Sequence, residues 1–529
     1  MLVPAAAAPA APIADEATVL YNPQAVLTAD LTLSPEAIAD LEAEPDEYVK
    51  GTFAMATTSG GPGGAETSLT PAPVAVEARL KGSGSFRPIT GKAAFKLKFK
   101  KAAPFLGLRK MTLNNMVQDE SMAHEALTYL AFAALDAPAS RSGYAYLRLN
   151  GEDIGLYADV ETLDKVALEK RFGAFEEPPQ HLYEGESGDD VLPGKAEAFE
   201  VDEGEEDDRG DLEALIKAVG DSGGAPWSNQ VAPFADLDEM SRMWALEHYL
   251  AHWDGYAGHF EPGLRPNNYY LFSDAAGRFQ MLPWGTDQTW DLNLEIPHRI
   301  VSFDSEGGVM FNRCLADEAC FRAYWEALDE VTDAVEAMEA GPFLGATAAM
   351  LAPWQQRERE FGRAEATEAK VTAAVTETAA FIANRPEEAR EWLAANEPPP
   401  LPEMEEPTPW PSAPAPPSPA PPINTVSQPS LRLGQVERKG KALAIHLGLA
   451  AAGEVRVQAT MGIAGRRVTA CAASAEVAER SRKTIACPLT KYALDRLERH
   501  AYALRLRVAF TPQGGERTVV TRAVGLAAL

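Results

Sequence analysis

The 529-residue sequence predicts a mixed α+β region, a proline-rich linker and a small all-β C-terminal domain. Alternating apolar strand patterns are interspersed with helical ones over the first 395 residues. Residues 397–422 read EPPPLPEMEEPTPWPSAPAPPSPAPP, which predicts an extended polyproline-type segment. Beyond residue 431, short alternating runs such as ALAIHLGL and YALRLRVAF are typical of a β-sandwich. We expect a leader over 1–20, an α+β domain over 21–395, a linker over 396–430 and the β-domain over 431–529.

Charge and hydropathy exclude several classes of protein. The formal net charge is −29, so nucleic acid and anionic lipid surfaces are not expected as partners. The longest apolar runs fall short of eighteen residues, so we expect no membrane span. The first residues, MLVPAAAAPAAPIADEA, lack a basic segment and fit either the remnant of a signal peptide or a disordered Ala/Pro leader.

The four cysteines indicate an oxidising compartment. Cys314 and Cys320 lie close together, and Cys471 and Cys487 form a second local pair. Two local pairs in separate regions predict the disulfides Cys314–Cys320 and Cys471–Cys487. We therefore expect a secreted, periplasmic or cell-surface protein, with four reduced, buried cysteines in a cytosolic protein as the alternative.

Residues 74–101 predict two strands joined by a Gly/Ser turn. The turn, KGSGS, contains Gly82, Ser83 and Ser85. It is followed by alternating apolar residues with Lys96 and Lys98 between them. Because side chains repeat every two residues along a strand, the two lysines must share one face. A Gly-rich turn lets backbone N–H groups approach phosphate closely, although most such turns are plain turns.

A helix and a hairpin are predicted next. DESMAHEALTYLAFAALDAP has the apolar spacing of a helix and contains Glu125. YAYLRLNGEDIGLYADVETLD predicts a β-hairpin that turns at Asn150-Gly151, contains Tyr157 and ends near Glu161.

Two aromatic-rich segments contain the acidic candidates. HWDGYAGHFEPGLRPNNYYLF includes Asp254 and Asn268, and LPWGTDQTW includes Trp284 and Asp287. A carboxylate in such apolar surroundings is costly without a partner. Taken singly, each aspartate fits a helix cap or a buried hydrogen-bond anchor as well as a functional site. Together they fit a metal site, a hydrolase dyad or a polar seam.

The order of these parts favours a phosphoryl-transfer site. Such chemistry needs cations on the phosphates, oxygen ligands for magnesium, and a base near the acceptor hydroxyl. A hydrolase using the Asp254–Asp287 carboxylate pair is the weaker alternative, because it leaves the lysines and the Gly/Ser turn without a role.

The same motifs resemble those of the spore coat protein H (CotH) kinase family of atypical protein kinases. The matching segments are RLKGSGSF with GKAAFKLKF, FLGLRKMTLNN with DESMAHEALTYLAF, YLRLNGEDIGLYADVETLD with HLYEGE, HWDGY with NNYYLF, and LPWGTDQTW. They follow the family's order over roughly residues 70–395. The resemblance implies a divergent protein-kinase-like fold and transfer of the ATP γ-phosphate, with Mg²⁺, to Ser or Thr of a protein substrate.

The resemblance also implies roles for individual residues. Lys96 or Lys98 would contact the ATP phosphates beneath the Gly82–Ser85 turn, and Asp254 would be the catalytic aspartate. Asp287 would bind magnesium, with Asn268 as a second ligand or its support. Tyr157 and Trp284 would stack on adenine, while Glu161 would orient a lysine or join the metal ligands.

Many relatives read PWDxD where this chain reads PWGTD, so Gly285 replaces a carboxylate. The alternative to an active kinase is therefore a non-catalytic surface, adhesion or scaffold protein. Its kinase-like domain would be inert, and residues 431–529 would contact a cell surface or cell wall.

Overall fold

The computed structural model describes residues 13–175, 180–185, 188–221, 226–258, 266–292, 301–399, 431–449, 451–463, 466–477, 481–490, 493–494, 502–512 and 518–526. The described residues up to 398 form one compact unit, and those after 398 belong to a second. The predicted linker lies almost entirely outside the described residues.

The first unit begins with a barrel-like sheet of eight strands. Seven of them close on themselves, because the first strand pairs in parallel with the seventh and antiparallel with the second. The spatial order is β1-β7-β8-β6-β5-β4-β2-β3. The strands are β1 (Val26–Leu33), β2 (Val49–Ser59), β3 (Ala65–Ser68), β4 (Val74–Lys81), β5 (Ala94–Phe99), β6 (Lys110–Asn114), β7 (Ser142–Leu149) and β8 (Glu152–Val160).

Alternate apolar side chains along the strands fill the interior of this sheet. Phe95, Leu97 and Phe99 of β5 are buried in one apolar cluster with alternate residues of β4, as the sequence pattern predicts. The opposite faces of β7 and β8 pack on a second cluster together with helix α2 (His124–Ala134). The barrel therefore has an apolar interior, and the outer face of β4, β5 and β6 remains available for polar side chains.

A helical region with a second sheet follows the barrel. Its four strands have the order β10-β9-β11-β12. They are β9 (His181–Gly185), β10 (Glu200–Glu203), β11 (Tyr269–Ser273) and β12 (Phe279–Pro283). Besides α2, the α-helices in the described part of the first unit are α1 (Pro35–Ala43), α3 (Lys165–Phe172), α4 (Gly210–Gly220), α5 (Trp227–Val231), α6 (Leu237–Tyr249), α7 (Val309–Ala316), α8 (Glu318–Ala337), α9 (Ala340–Glu360) and α10 (Glu368–Ala395).

The start of the folded part differs from its predicted position at residue 21. Glu16–Val19 form a 3₁₀ helix, and Ala17 and Leu20 are buried against the barrel core. Asp15 forms ion pairs with Arg141 and Lys170. Among the described residues, the last part of the predicted leader is therefore folded, because its apolar side chains pack against the barrel core.

The described residues of the second unit form seven strands in two sheets. Their orders are β13-β14-β17 and β16-β15-β18-β19, and their buried side chains form one apolar cluster. The strands are β13 (Leu431–Lys439), β14 (Ala442–Leu449), β15 (Gly453–Ile463), β16 (Arg466–Val477), β17 (Ser481–Pro488), β18 (Tyr502–Pro512) and β19 (Thr518–Leu526).

Both predicted disulfides are confirmed. Cys314–Cys320 joins α7 to the first turn of α8, and Cys471–Cys487 joins β16 to β17. No described helix combines the length and apolar character needed to cross a membrane.

Candidate functional site

The segment that contains Asp254 is wound around a buried glutamate. Glu247, in the last turns of α6, accepts hydrogen bonds from the backbone N–H groups of Tyr256 (3.1 Å) and Ala257 (2.7 Å). A Cβ at Gly255 would lie only 2.5 Å from Glu247 Oε1. The absence of a side chain at Gly255 therefore allows the chain to turn tightly and present Asp254.

Two asparagines hold the Asp254 carboxylate. Asn268 donates from Nδ2 to Asp254 Oδ2 (2.9 Å) and to the Asp254 carbonyl (3.0 Å), while Asn267 donates to Oδ1 (3.2 Å). Asn268 has a φ of +52° and immediately precedes β11. The paired asparagines of the sequence motif thus orient one carboxylate from both sides.

The Asp287 segment meets the Asp254 segment at Gly285. Gly285 has a φ of +54°, and a Cβ there would lie 2.5 Å from Asn268 Oδ1. His252 Nε2 lies 3.2 Å from the Gly285 carbonyl, which accepts the hydrogen bond. Burial alone would lower the pKa of His252, but Glu247 beside it holds that pKa above its ordinary value. The structure therefore brings Asp254, Asn268 and Asp287 together through this glycine.

A polar chain runs from β4 to helix α2 beside Asp287. Lys81 Nζ donates to Asn114 Oδ1 (2.5 Å), and Asn114 Nδ2 donates to both oxygens of Glu125 (2.8 and 3.0 Å). Burial lowers the pKa of Lys81 against the opposing charge of Glu125. Burial and the charge of Asp287 raise the pKa of Glu125 to about 8.

Negative charge accumulates at Asp287. Burial, followed by the Asp119 carboxylate, raises the pKa of Asp287 to about 6. The Asp254 carboxylate adds to this effect, and Lys81 opposes it. A cation bound at this point would therefore compensate a local excess of negative charge.

Lys81 was not among the candidates predicted from the sequence, and the structure separates the two lysines that were. Lys96 is half-buried, and its charge acts on Lys81 and on Glu184. Lys98 is exposed, with its Nζ 3.9 Å from the centroid of the Tyr48 ring. Lys96 thus lies beside the cluster, whereas Lys98 is held at a different part of the same face.

The Gly/Ser turn lies beside the Asp287 segment. Gly82 has a φ of +108°, and a Cβ there would lie 2.7 Å from Ser85 Oγ. The next glycine along packs against the side-chain amide of Gln118, whose backbone carbonyl accepts a hydrogen bond from Gln288 (3.0 Å). Ser83 lies in the same turn, so all three predicted turn residues are brought to this end of the site.

Two predicted ligand residues are placed elsewhere, and their roles are corrected. Tyr157 is fully buried in the barrel interior and donates to the Ala93 carbonyl (2.7 Å), so its ring is not free to stack on adenine. Glu161 is buried in an ion cluster with Arg141 (2.7 Å), Arg171 (2.5 Å) and Lys170 (3.7 Å). The lysine beside it is therefore Lys170 of α3, not one of the two predicted strand lysines, and the Glu161 oxygens are committed to this cluster. The alternating sequence pattern predicts the strand that contains Tyr157, but it does not show which face of that strand points into the barrel.

Trp284 lies at the site, but its ring is packed against neighbouring side chains and is not free to stack on adenine as predicted. It is buried, its ring meets Tyr270 edge-on with the centroids 5.8 Å apart, and Lys81 Nζ lies 5.7 Å from its centroid. The ring therefore forms part of the wall beneath Lys81.

The donor set suits a hard divalent cation that retains part of its water shell. No group of three or more His, Cys, Asp or Glu side chains arranged to hold a metal occurs among the described residues. Magnesium is commonly held by one or two carboxylates together with substrate phosphates and water. The Asp287 carboxylate and the amide oxygen of Asn268 are oxygen ligands of that kind, and the Asp254 carboxylate lies beside them.

Comparison with known proteins identifies the family to which the sequence is similar. The family described as CotH kinase protein matches residues 78–389, which is more than half of the chain. The chain is also similar to the inner spore coat protein H of Bacillus subtilis (strain 168). The two are 24% identical over 252 residues, which cover 46% of this chain and 67% of that protein. The chain therefore belongs to the CotH kinase protein family.

Proposed function

We propose that the chain is a secreted or envelope-associated protein kinase with a divergent kinase-like fold. It would transfer the γ-phosphate of ATP to Ser or Thr hydroxyls of a protein substrate in a Mg²⁺-dependent reaction. The observation that carries the proposal is the convergence of Asp254, Asn268 and Asp287 next to Lys81. Membership of the CotH kinase family and the two disulfides support the class of activity and the compartment.

Each side chain has a role that its contacts suit. Asp254, fixed by Asn267 and Asn268, would accept the proton of the acceptor hydroxyl. Lys81, restrained by Asn114, would contact the phosphates, with Lys96 as a second cation nearby. The Gly82–Ser85 turn would cover the phosphates with backbone N–H groups.

Magnesium would be held by Asp287, with Asn268 beside it. The bound ion would neutralise charge on the transferring phosphoryl group. The chain's own contribution is to fix these oxygens before the ligand arrives. Gly285 and His252 do this by joining the two loops that carry the carboxylates.

Thermal shift with ATP and Mg²⁺, separately and together, tests the proposal. A ligand that binds the folded state raises the unfolding midpoint by mass action, and we expect a shift that requires both. Asp287→Asn should abolish that shift and Mg²⁺-dependent nucleotide turnover with little change in the midpoint of the free protein. Lys81→Ala should weaken the response, and Lys98→Ala is the matched control. An unchanged response in Asp287→Asn would refute the metal assignment.

A non-catalytic surface function is the second candidate. It is favoured by the C-terminal unit, which has its own apolar core and its own disulfide. In this case residues 431–529 would bind a cell surface or cell wall. Binding of the full chain to cell-wall carbohydrate, lost on deletion of 431–529 and accompanied by no ATP response, would support this function over catalysis.

A further inference from the structure

The last helix of the first unit contacts three segments that border the candidate site. The Thr378 hydroxyl lies 2.9 Å from His124 Nε2, at the start of α2. The Phe381 ring lies edge-on to Trp290, shortly after Asp287, with the centroids 6.0 Å apart. Arg385 donates from Nε to the Tyr249 carbonyl (2.9 Å) at the end of α6, just before the Asp254 segment. Helix α10 is therefore in a position to set the relative placement of these segments.

The contact at His124 reaches Asp287 directly. His124 Nδ1 lies 3.1 Å from the Asp287 carbonyl oxygen. A carbonyl only accepts, so Nδ1 must carry the hydrogen, and in the neutral ring Nε2 must then accept a hydrogen bond from the Thr378 hydroxyl. Thr378 thus fixes the orientation of a ring that holds the backbone of the proposed metal ligand.

Asp119 lies beside the ring, with its Oδ1 3.6 Å from His124 Nδ1, and it also restrains the backbone at the start of α2. Asp119 accepts the backbone N–H of His124 at Oδ2 (2.8 Å) and those of Ser121 and Met122 at Oδ1. The start of α2 is therefore anchored, and His124 and Thr378 are both buried. Loss of the Thr378 hydroxyl would leave Nε2 without its donor and would loosen the ring and the Asp287 carbonyl together.

We propose that Thr378 is a positioning residue for Asp287 and acts through His124. The expected effect on Mg²⁺ binding rests on the proposed function. The expected effect on the backbone at Asp287 does not. It makes α10 a structural part of the site. Residues that orient metal ligands in this way typically change metal affinity about 10-fold or more when removed.

Hydrogen–deuterium exchange in the ligand-free full chain is the first test. Thr378→Val removes the hydroxyl at nearly constant volume, and we expect faster exchange in a peptide covering 284–290. Thr376→Val is the matched control, because Thr376 is exposed on the same helix and bonds only to the Thr372 carbonyl of its own helix. Thr378→Ser keeps a hydroxyl and should restore slow exchange. Unchanged exchange in Thr378→Val, or a serine variant that exchanges as fast as the valine variant, would overturn the proposal.

The Mg²⁺ concentration that gives the half-maximal ATP-dependent thermal shift is the second test. Thr378→Val should raise it about 10-fold, whereas Thr376→Val should leave it at the wild-type value. If exchange increases in Thr378→Val but the wild-type protein shows no response to ATP and Mg²⁺, the proposed kinase function fails and the positioning role stands. If the wild-type protein responds and Thr378→Val has the same Mg²⁺ dependence, the positioning role fails.

Discussion

Gly285→Ala tests how the two carboxylate loops are joined. A methyl group at this position would start only 2.5 Å from Asn268 Oδ1, far inside van der Waals contact. Asn268 would have to move, and with it the amide that donates to Asp254 at 2.9 and 3.0 Å. The φ of +54° adds a backbone cost for any L-residue. The substitution should therefore both destabilise the protein and misplace Asp254.

The magnitude follows from two separate costs. The left-handed conformation costs an alanine about 1–2 kcal/mol. Loss of a hydrogen bond to a charged group costs about 1.5–3 kcal/mol. The sum is about 2.5–5 kcal/mol. With an unfolding entropy of about 2.1 cal/mol/K per residue, it corresponds to a fall in the unfolding midpoint of about 3–6 °C for a unit of this size.

Gly277→Ala separates the two costs. Gly277 also has a positive φ, +70°, and lies in the β11–β12 hairpin, but a Cβ there would meet nothing within 4 Å. Thermal unfolding should show only the smaller backbone cost for Gly277→Ala, and its response to ATP and Mg²⁺ should be intact. Equal destabilisation by the two variants, with the ligand response kept in both, would refute the argument about Asn268.

Three further predictions concern buried ion pairs. Glu161→Gln should lower the unfolding midpoint at pH 7 by an amount equivalent to about 3 kcal/mol, because Arg141 and Arg171 lose their shared partner. The thermal response to ATP and Mg²⁺ should persist. Loss of that response would show that Glu161 has a role at the candidate site. Burial alone would raise the pKa of Glu161, but the two arginines hold it below its ordinary value of 4.5. The stabilisation is therefore complete above that pH and lost as pH falls, so wild type and variant should converge in acid; a constant difference from pH 7 to pH 3 would contradict this. Lys92→Met breaks the 2.6 Å ion pair with Glu358 and should lower the free energy of unfolding by about 3–5 kcal/mol. Adding Glu358→Leu should recover most of that loss, because no unpaired charge is then buried. A double variant as unstable as the single one would show that the unpaired charge is not the cause.

Local signals in the sequence predict much of the barrel. Ser34 accepts the Ala37 N–H and caps α1, and a serine just before a helix is a common local signal for its start. Asn150 and Gly151 both have positive φ and form the predicted turn between β7 and β8. Such features depend on neighbours along the chain, which is why the sequence alone can specify them.

The candidate site is predicted less completely, because it depends on register and on inward or outward orientation. Lys81 pairs across the sheet with Ala94, whose methyl group leaves room for the lysine to reach Asn114 on the following strand. The KGSGS motif itself does not indicate that its lysine would reach a side chain two strands away. Tyr157 fails as a ligand candidate for a similar reason, since its aromatic side chain serves the barrel interior.

The closed sheet has a practical consequence for work with fragments. The family match starts at residue 78, inside β4 and after β1, β2 and β3. A protein truncated at that boundary would lose the strands that pair with β7 and β4. Two open edges and an uncovered apolar interior would then invite pairing between molecules. The boundary of sequence similarity is therefore not a folding boundary, and a soluble preparation should begin ahead of β1, with the 3₁₀ helix at Glu16–Val19 included.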